Sequence, residues 1–164
     1  CDIHEHKIKL IDESAARLGA NIIESRLYDV SVPNAEFEGA FDKVLLDAPC
    51  TGLGIIRRKP DIKWARKAED IEGIVALQRR LIRNVSKWVK PGGVMVYSTC
   101  TVLPEENECI LNDFLMENQD FEADDIRVFV PDGLALKAKG CMLHLYPHTD
   151  GTNGFFISRI RRKG

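Results

Sequence analysis

Apolar positions along the chain alternate between short continuous runs and longer stretches with helical spacing. Between Glu5 and Leu18, the residues Ile8, Ile11, Ala15 and Leu18 recur on one helical face, and Gly19 stands where a left-handed residue would end the helix. Cys1 to Ile3 reads as the tail of a strand, and Asn21 to Tyr28 as a strand ending at Asp29. Phe41 to Leu46, with Val44, Leu45 and Leu46 in succession, reads as a strand buried on both faces. Glu69 to Val89 places Ile71, Ile74, Val75, Ile82, Val85 and Val89 on one helical face. Lys90-Pro91-Gly92-Gly93 then turns the chain into a strand over Val94 to Ser98. Pro104, followed by Glu105 and Glu106, starts a helix that runs to about Met116, since proline and acids suit a first turn. Phe121 to Val130 and Gly154 to Arg161 read as two closing strands, an antiparallel pair. This alternation predicts one α/β domain built on a doubly wound sheet.

Composition narrows the setting. The 164 residues suit one domain with a substantial core, and 45% hydrophobic with 29% charged content is ordinary for a water-soluble chain. No apolar run approaches a membrane span, and CDIHEHKIKL lacks the regions of a secretory signal. Five widely spaced cysteines with no C-x-x-C suit a reducing compartment, so a cytoplasmic location is expected. The net charge of −2 conceals two basic concentrations. Ile55 to Lys67 holds six basic residues, among them Arg57, Arg58, Lys59 and Lys63, against the single acid Asp61, with Trp64 in their midst. The C-terminal SRIRRKG adds four more. Such clusters predict a polarised surface facing a polyanionic substrate.

In doubly wound sheets ligands bind outside the carboxyl ends of the strands. That rule gathers Asp2, Asp29, Asp47 and Cys100 along one rim. A carboxylate just past a strand can accept both hydroxyls of a ribose. A single such acid can equally cap the following turn, but three in succession indicate an adenosine-containing cofactor. Cys50 and Cys100 also fall just beyond strand ends, whereas Cys1, Cys109 and Cys141 read as small hydrophobes. No metal site is expected, because Cys1, His4 and His6 have no second ligand pair at zinc-finger spacing. A cysteine-phosphatase loop is excluded: the arginine it needs six positions after Cys50 is Ile56 here.

DAPCTGLG (Asp47 to Gly54), YSTCT (Tyr97 to Thr101) and HTDGTNGFFISRI (His148 to Ile160) resemble the signature motifs of Sun/Fmu-type RNA cytosine-C5 methyltransferases. RRKPDIKW resembles the branch acting on small-subunit ribosomal RNA. The resemblance covers essentially the whole chain and implies a Rossmann-like class I S-adenosylmethionine-dependent methyltransferase. It implies Cys100 as the nucleophile toward cytosine C6, Cys50 as the helper in product release and Asp47 as the grip on the base. It further implies Asp2 on the cofactor ribose, Asp29 near the adenine and Asp47 at the same rim, with ribosomal RNA as partner. His148 to Gly154 is expected to form a loop at the site. Measured against the family pattern, the first strand, the first helix with its glycine-rich loop and an upstream RNA-binding domain are missing. Residues 1–164 are therefore expected to be a partial catalytic domain that alone binds S-adenosylmethionine weakly or not at all. A transfer RNA enzyme of the same family, or a non-catalytic RNA-binding module keeping the fold, are the alternatives.

Overall fold

Gly19 ends helix α1 (Glu5–Leu18) in the left-handed conformation, at φ 66°, and returns its N–H to Ala15 and Ala16, as the sequence predicts. The computed structural model describes residues 1–164, in which Cys1–Pro33 and Asn34–Gly164 form two units.

In the first unit the helix forms but its apolar stripe is only partly covered: Ile8 and Ala15 are half-buried, while Ile11 and Leu18 are exposed. The expected strands over Cys1 to Ile3 and Asn21 to Tyr28 reduce to one parallel bridge, Asp2 with Leu27. Asp2 N–H reaches the Arg26 carbonyl at 3.2 Å, and Tyr28 N–H reaches the Asp2 carbonyl at 3.0 Å. Two lone extended segments lack the flanking ladder that makes a sheet stable, and Ile22 and Ile23 accordingly remain in solvent.

The second unit is built on a mixed sheet. Strand β1 (Phe41–Asp47) leads through the short helix α2 (Ile62–Ala65) and the long helix α3 (Ala68–Ser86) into β2 (Val89–Thr99). Helix α4 (Glu108–Glu117), strand β3 (Phe121–Ala123), the turn-length helix α5 (Asp132–Ala135), strand β4 (Met142–Leu145), the turn-length helix α6 (Pro147–Asp150) and strand β5 (Phe155–Arg162) follow. The order is β1-β2-β5-β3, with β1 and β2 parallel and β5 antiparallel to β2. β3 and β4 pair with opposite halves of β5, so the predicted antiparallel closing pair is present, and β4 adds a strand that the sequence pattern does not predict.

Several boundaries differ from the sequence expectation for identifiable reasons. β1 pairs with β2 alone, so it is an edge strand rather than one buried on both faces: Leu46 is buried while Leu45 is 69% exposed. Val89 belongs to β2 rather than to α3, and Lys90 to Gly93 form an irregularity within that strand, where the register against β1 shifts between Phe41 and Lys43. The predicted helix from Pro104 is broken: a 3-10 turn over Pro104–Glu106 is separated from α4 by Asn107, at φ −114°, ψ −103°. Of the strand expected over Phe121 to Val130 only β3 forms, because the Asp125 carboxylate accepts Arg127 N–H at 3.0 Å and starts a 3-10 turn over Ile126–Phe129.

The core lies where α3 and α4 cover the sheet. Leu81, Ile82 and Val85 of α3, Ile110, Leu111 and Phe114 of α4, and Met95, Tyr97, Phe156 and Ile160 of the sheet are buried. Because Asp47 pairs with Ser98 and Thr99 with Phe156, this packing places the carboxyl ends of β1 and β2 beside the amino end of β5.

Candidate active site

Parallel pairing of β1 with β2 carries two loops to the same rim, Ala48 to Gly54 and Cys100 to Leu103. Ala48 N–H continues the ladder to the Ser98 carbonyl at 2.9 Å, and Gly54 N–H binds the Cys100 carbonyl at 3.0 Å. Gly154, at the entry to β5, donates to the Gly54 carbonyl at 2.8 Å. These backbones approach so closely that a Cβ on Gly54 would lie 2.3 Å from Gly154 O and 2.7 Å from Cys100 O. The expected loop at His148 to Gly154 thus reaches the site through its last glycine, after the helical turn of α6.

This stapling brings three of the predicted residues together. Cys50 Sγ lies 3.3 Å from Cys100 Sγ, both half-buried. Asp47 is exposed at the end of β1, where its Oδ1 accepts a 3.0 Å hydrogen bond from the Ser98 hydroxyl. The two thiols are strongly unequal. Cys50 is pushed well above the ordinary thiol range, first by its hydrogen bond to Cys100 and then by burial. Cys100 is lowered to about 7, chiefly by that same hydrogen bond, against burial and the negative charges of Asp47 and Glu106. The pairing thus favours Cys100 over Cys50 as the thiol that ionises first.

A buried polar cluster lies behind the thiols and escapes sequence reasoning. Glu106 and Asn107 are fully buried, as are Thr51, Gln78, Thr99 and Thr101. The Glu106 carboxylate accepts Thr51 N–H at 2.8 Å, the Thr51 hydroxyl at 2.5 Å and Gln78 Nε2 at 3.0 Å. The only local signal is an acid two residues after Pro104, and this fits a dipole partner equally well.

Asp2 and Asp29 lie in the first unit at the ends of its two bridged segments. Asp2 Oδ1 accepts His4 N–H at 2.9 Å and Oδ2 pairs with Lys7 at 3.2 Å. Burial pushes the Asp2 carboxyl up, but His4 and Lys7 outweigh it and hold it below its ordinary value. Asp29 Oδ1 accepts Ser31 N–H at 2.8 Å. Both acids thus cap local turns. Carboxylates near the ends of neighbouring parallel segments can also accept from ribose hydroxyls and an adenine amino group, since each offers about four acceptor positions.

The two basic concentrations part company. Arg57, Arg58, Lys59 and Lys63 are exposed and make no ion pair, and Lys63 lies 5.1 Å over the ring of Trp64, itself 80% exposed. At the C-terminus, by contrast, Arg159 and Arg161 both pair with Asp124 at 2.9 Å, and Arg162 pairs with Asp120. Arg159 also stacks on Phe129, Arg161 binds the Gly92 carbonyl, and Arg162 binds the Val89 carbonyl. The second cluster closes the sheet rather than offering a surface to a polyanion.

The family described as 16S rRNA methyltransferase RsmB/F matches residues 1–161. The chain is 42% identical to a probable ribosomal RNA small subunit methyltransferase B of Bacillus subtilis, over 99% of this chain and 37% of that protein. It is 38% identical to ribosomal RNA small subunit methyltransferase B of Pectobacterium carotovorum, over 97% of this chain and 35% of the relative. The chain thus spans about a third of the length of these relatives. Among solved structures, NSun6 from Pyrococcus horikoshii superposes with a TM-score of 0.79 at 31% identity, over 99% of this chain and 40% of that one. A methyltransferase homologue from the same organism gives 0.74 at 31% identity, over 98% and 52%.

Proposed function

The chain belongs to the RsmB/F family of 16S rRNA methyltransferases, and from that membership we propose that it carries the reacting groups of an enzyme methylating cytosine C5 in 16S ribosomal RNA. The observation that carries this reading is the pair of thiols, 3.3 Å apart at the rim beside Asp47. Cytosine C5 is too weak a nucleophile to take a methyl group unaided. Addition of the Cys100 thiolate to C6 forms an S–C6 bond and moves the C5=C6 electron pair onto C5, which becomes enamine-like. S-adenosylmethionine would supply the electrophilic methyl group, and in the first unit Asp2 and Asp29 are the carboxylates that would hold its ribose and adenine. Asp47 accepts the exocyclic amino N–H of the base and shares a proton with N3, which takes up the negative charge as the thiolate adds.

A water molecule takes the C5 proton, the electron pair of that C–H bond re-forms C5=C6, and the S–C6 pair leaves with the Cys100 sulfur. The departing Cys100 thiolate is received by a hydrogen bond from the Cys50 thiol, the two sulfurs lying 3.3 Å apart in the unreacted protein. A thiolate must approach C6 from the face of the ring, so the target base is unpaired or flipped out of its stack. The free cations Arg57, Arg58, Lys59 and Lys63 contact phosphates of that RNA.

The test is methyl transfer by the full-length protein to 16S ribosomal RNA, with the modified position read by sequencing. Cys100→Ala abolishes transfer in this account. Normal transfer by Cys100→Ala, or modification at a base other than cytosine, would overturn it.

A further inference from the structure

We infer that the buried dipeptide Glu106-Asn107 sets the two thiols in register, Glu106 as a positioning residue for Cys50 and Asn107 as one for Cys100. The inference rests on the proposed function and extends it to residues that do not touch the reacting atoms.

The backbone on both sides of Cys50 is pinned. Before it, the Pro49 carbonyl accepts Gln78 Nε2 at 2.9 Å; after it, Thr51 N–H donates to Glu106 Oε2 at 2.8 Å. Gln78 Nε2 also donates to Glu106, and Gln78 Oε1 has no partner, so this amide is held entirely through its NH2 group. The Thr51 hydroxyl gives its single proton to Glu106 Oε1, and must therefore accept from Thr101, 2.9 Å away. Cys100 is flanked in the same manner by Asn107. The Thr99 hydroxyl donates to Asn107 Oδ1 at 2.5 Å, and Asn107 Nδ2 donates to the Thr101 carbonyl at 3.2 Å. The Tyr97 hydroxyl binds the Glu106 carbonyl at 2.7 Å, which locks the dipeptide to β2.

Two features distinguish this arrangement from helix capping. Neighbouring Glu105, also in the first turn, is exposed and can meet the helix dipole without being buried. A fully buried carboxylate is costly unless it is hydrogen-bonded; the donors that offset this cost for Glu106 come from Gln78 and from Thr51, the residue next to Cys50.

The inference makes Glu106→Ala resemble Cys50→Ala: the Cys100–C6 adduct still forms, but its release is slowed. The experiment uses the full-length protein with 16S ribosomal RNA, reading denaturation-resistant protein–RNA adduct beside methyl transfer, with folding checked by circular dichroism. Cys50→Ala is the reference and accumulates adduct. Glu106→Ala is expected to accumulate it too, with kcat lowered about 100-fold, the scale for a displaced reacting group, and KM for RNA unchanged. Asn107→Ala is expected to lower kcat with no adduct, because it displaces Cys100. Glu106→Gln restores release, since its amide oxygen still accepts Thr51 N–H and its NH2 donates to a Thr51 hydroxyl whose proton turns to Thr101. If Glu106→Ala does not fold, Gln78→Met releases the Pro49 carbonyl at nearly constant volume and should accumulate adduct instead. Loss of turnover without adduct in the folded variant, or failure of Glu106→Gln to restore release, overturns the inference. Absence of adduct in Cys50→Ala itself overturns the mechanistic reading beneath it, and so separates the two failures.

Discussion

Cys50 and Cys100 are fifty residues apart in sequence and 3.3 Å apart at their sulfurs, and their hydrogen bond lowers one thiol to about 7 while raising the other. Alkylation of Cys100 should therefore follow its own ionisation. Its folded pKa is below the ordinary thiol value of about 8.5, so the thiolate accumulates as pH rises through about 7, and the rate rises with it to a plateau. Replacing Cys50 by alanine removes the donor and should move the midpoint upward. Iodoacetamide labelling resolved by peptide mass measures both; an unchanged midpoint in Cys50→Ala would contradict the pairing.

The free and the engaged cations predict different phenotypes. Glutamine at Arg57, Arg58, Lys59 and Lys63 should weaken RNA binding and flatten its salt dependence, with thermal stability unchanged. The logarithmic slope should fall by about 0.7 for each single-strand phosphate that is no longer neutralised. Arg159→Ala, by contrast, opens the pair with Asp124, whose partners are only 13% and 18% exposed. It should cost about 2 kcal/mol of stability and leave the salt dependence of RNA binding alone. Denaturant unfolding and binding at several salt concentrations separate the two.

Gly54→Ala sets a methyl group against the Gly154 and Cys100 carbonyls. Both obstacles are backbone, so relief requires moving the loops that carry the thiols, and the expected cost is about 3 kcal/mol together with loss of methyl transfer. Gly73, inside α3, has nothing within 4 Å of an added Cβ. Gly73→Ala should raise stability by about 1 kcal/mol, and is a matched control in the same unfolding assay.

Local pattern sufficed for what local forces decide. α1 and α3 are legible because their apolar residues keep helical spacing, Asp47 because it closes the apolar run of β1, and Cys50 and Cys100 because they fall just beyond strand ends. What escaped depends on distant partners. β4 has four residues and exists through β5. The C-terminal arginines look like a nucleic-acid surface until Asp120 and Asp124 are seen beside them. Glu105 and Glu106 are indistinguishable in sequence, and Glu106 is the buried one because Thr51 and Gln78 wait for it. β1 reads as a central strand from composition alone, although its neighbours are set by topology.

The central claim is that Cys100, not Cys50, bonds to the base. RNA carrying 5-azacytidine in place of cytidine holds the protein at the adduct, because nitrogen at position 5 has no proton to lose. Digesting the trapped complex of the full-length protein and sequencing its peptides by mass spectrometry locates the nucleotide directly. The account predicts the modification on the peptide containing Cys100, with Cys50 unmodified; nucleotide bonded to Cys50 would contradict it.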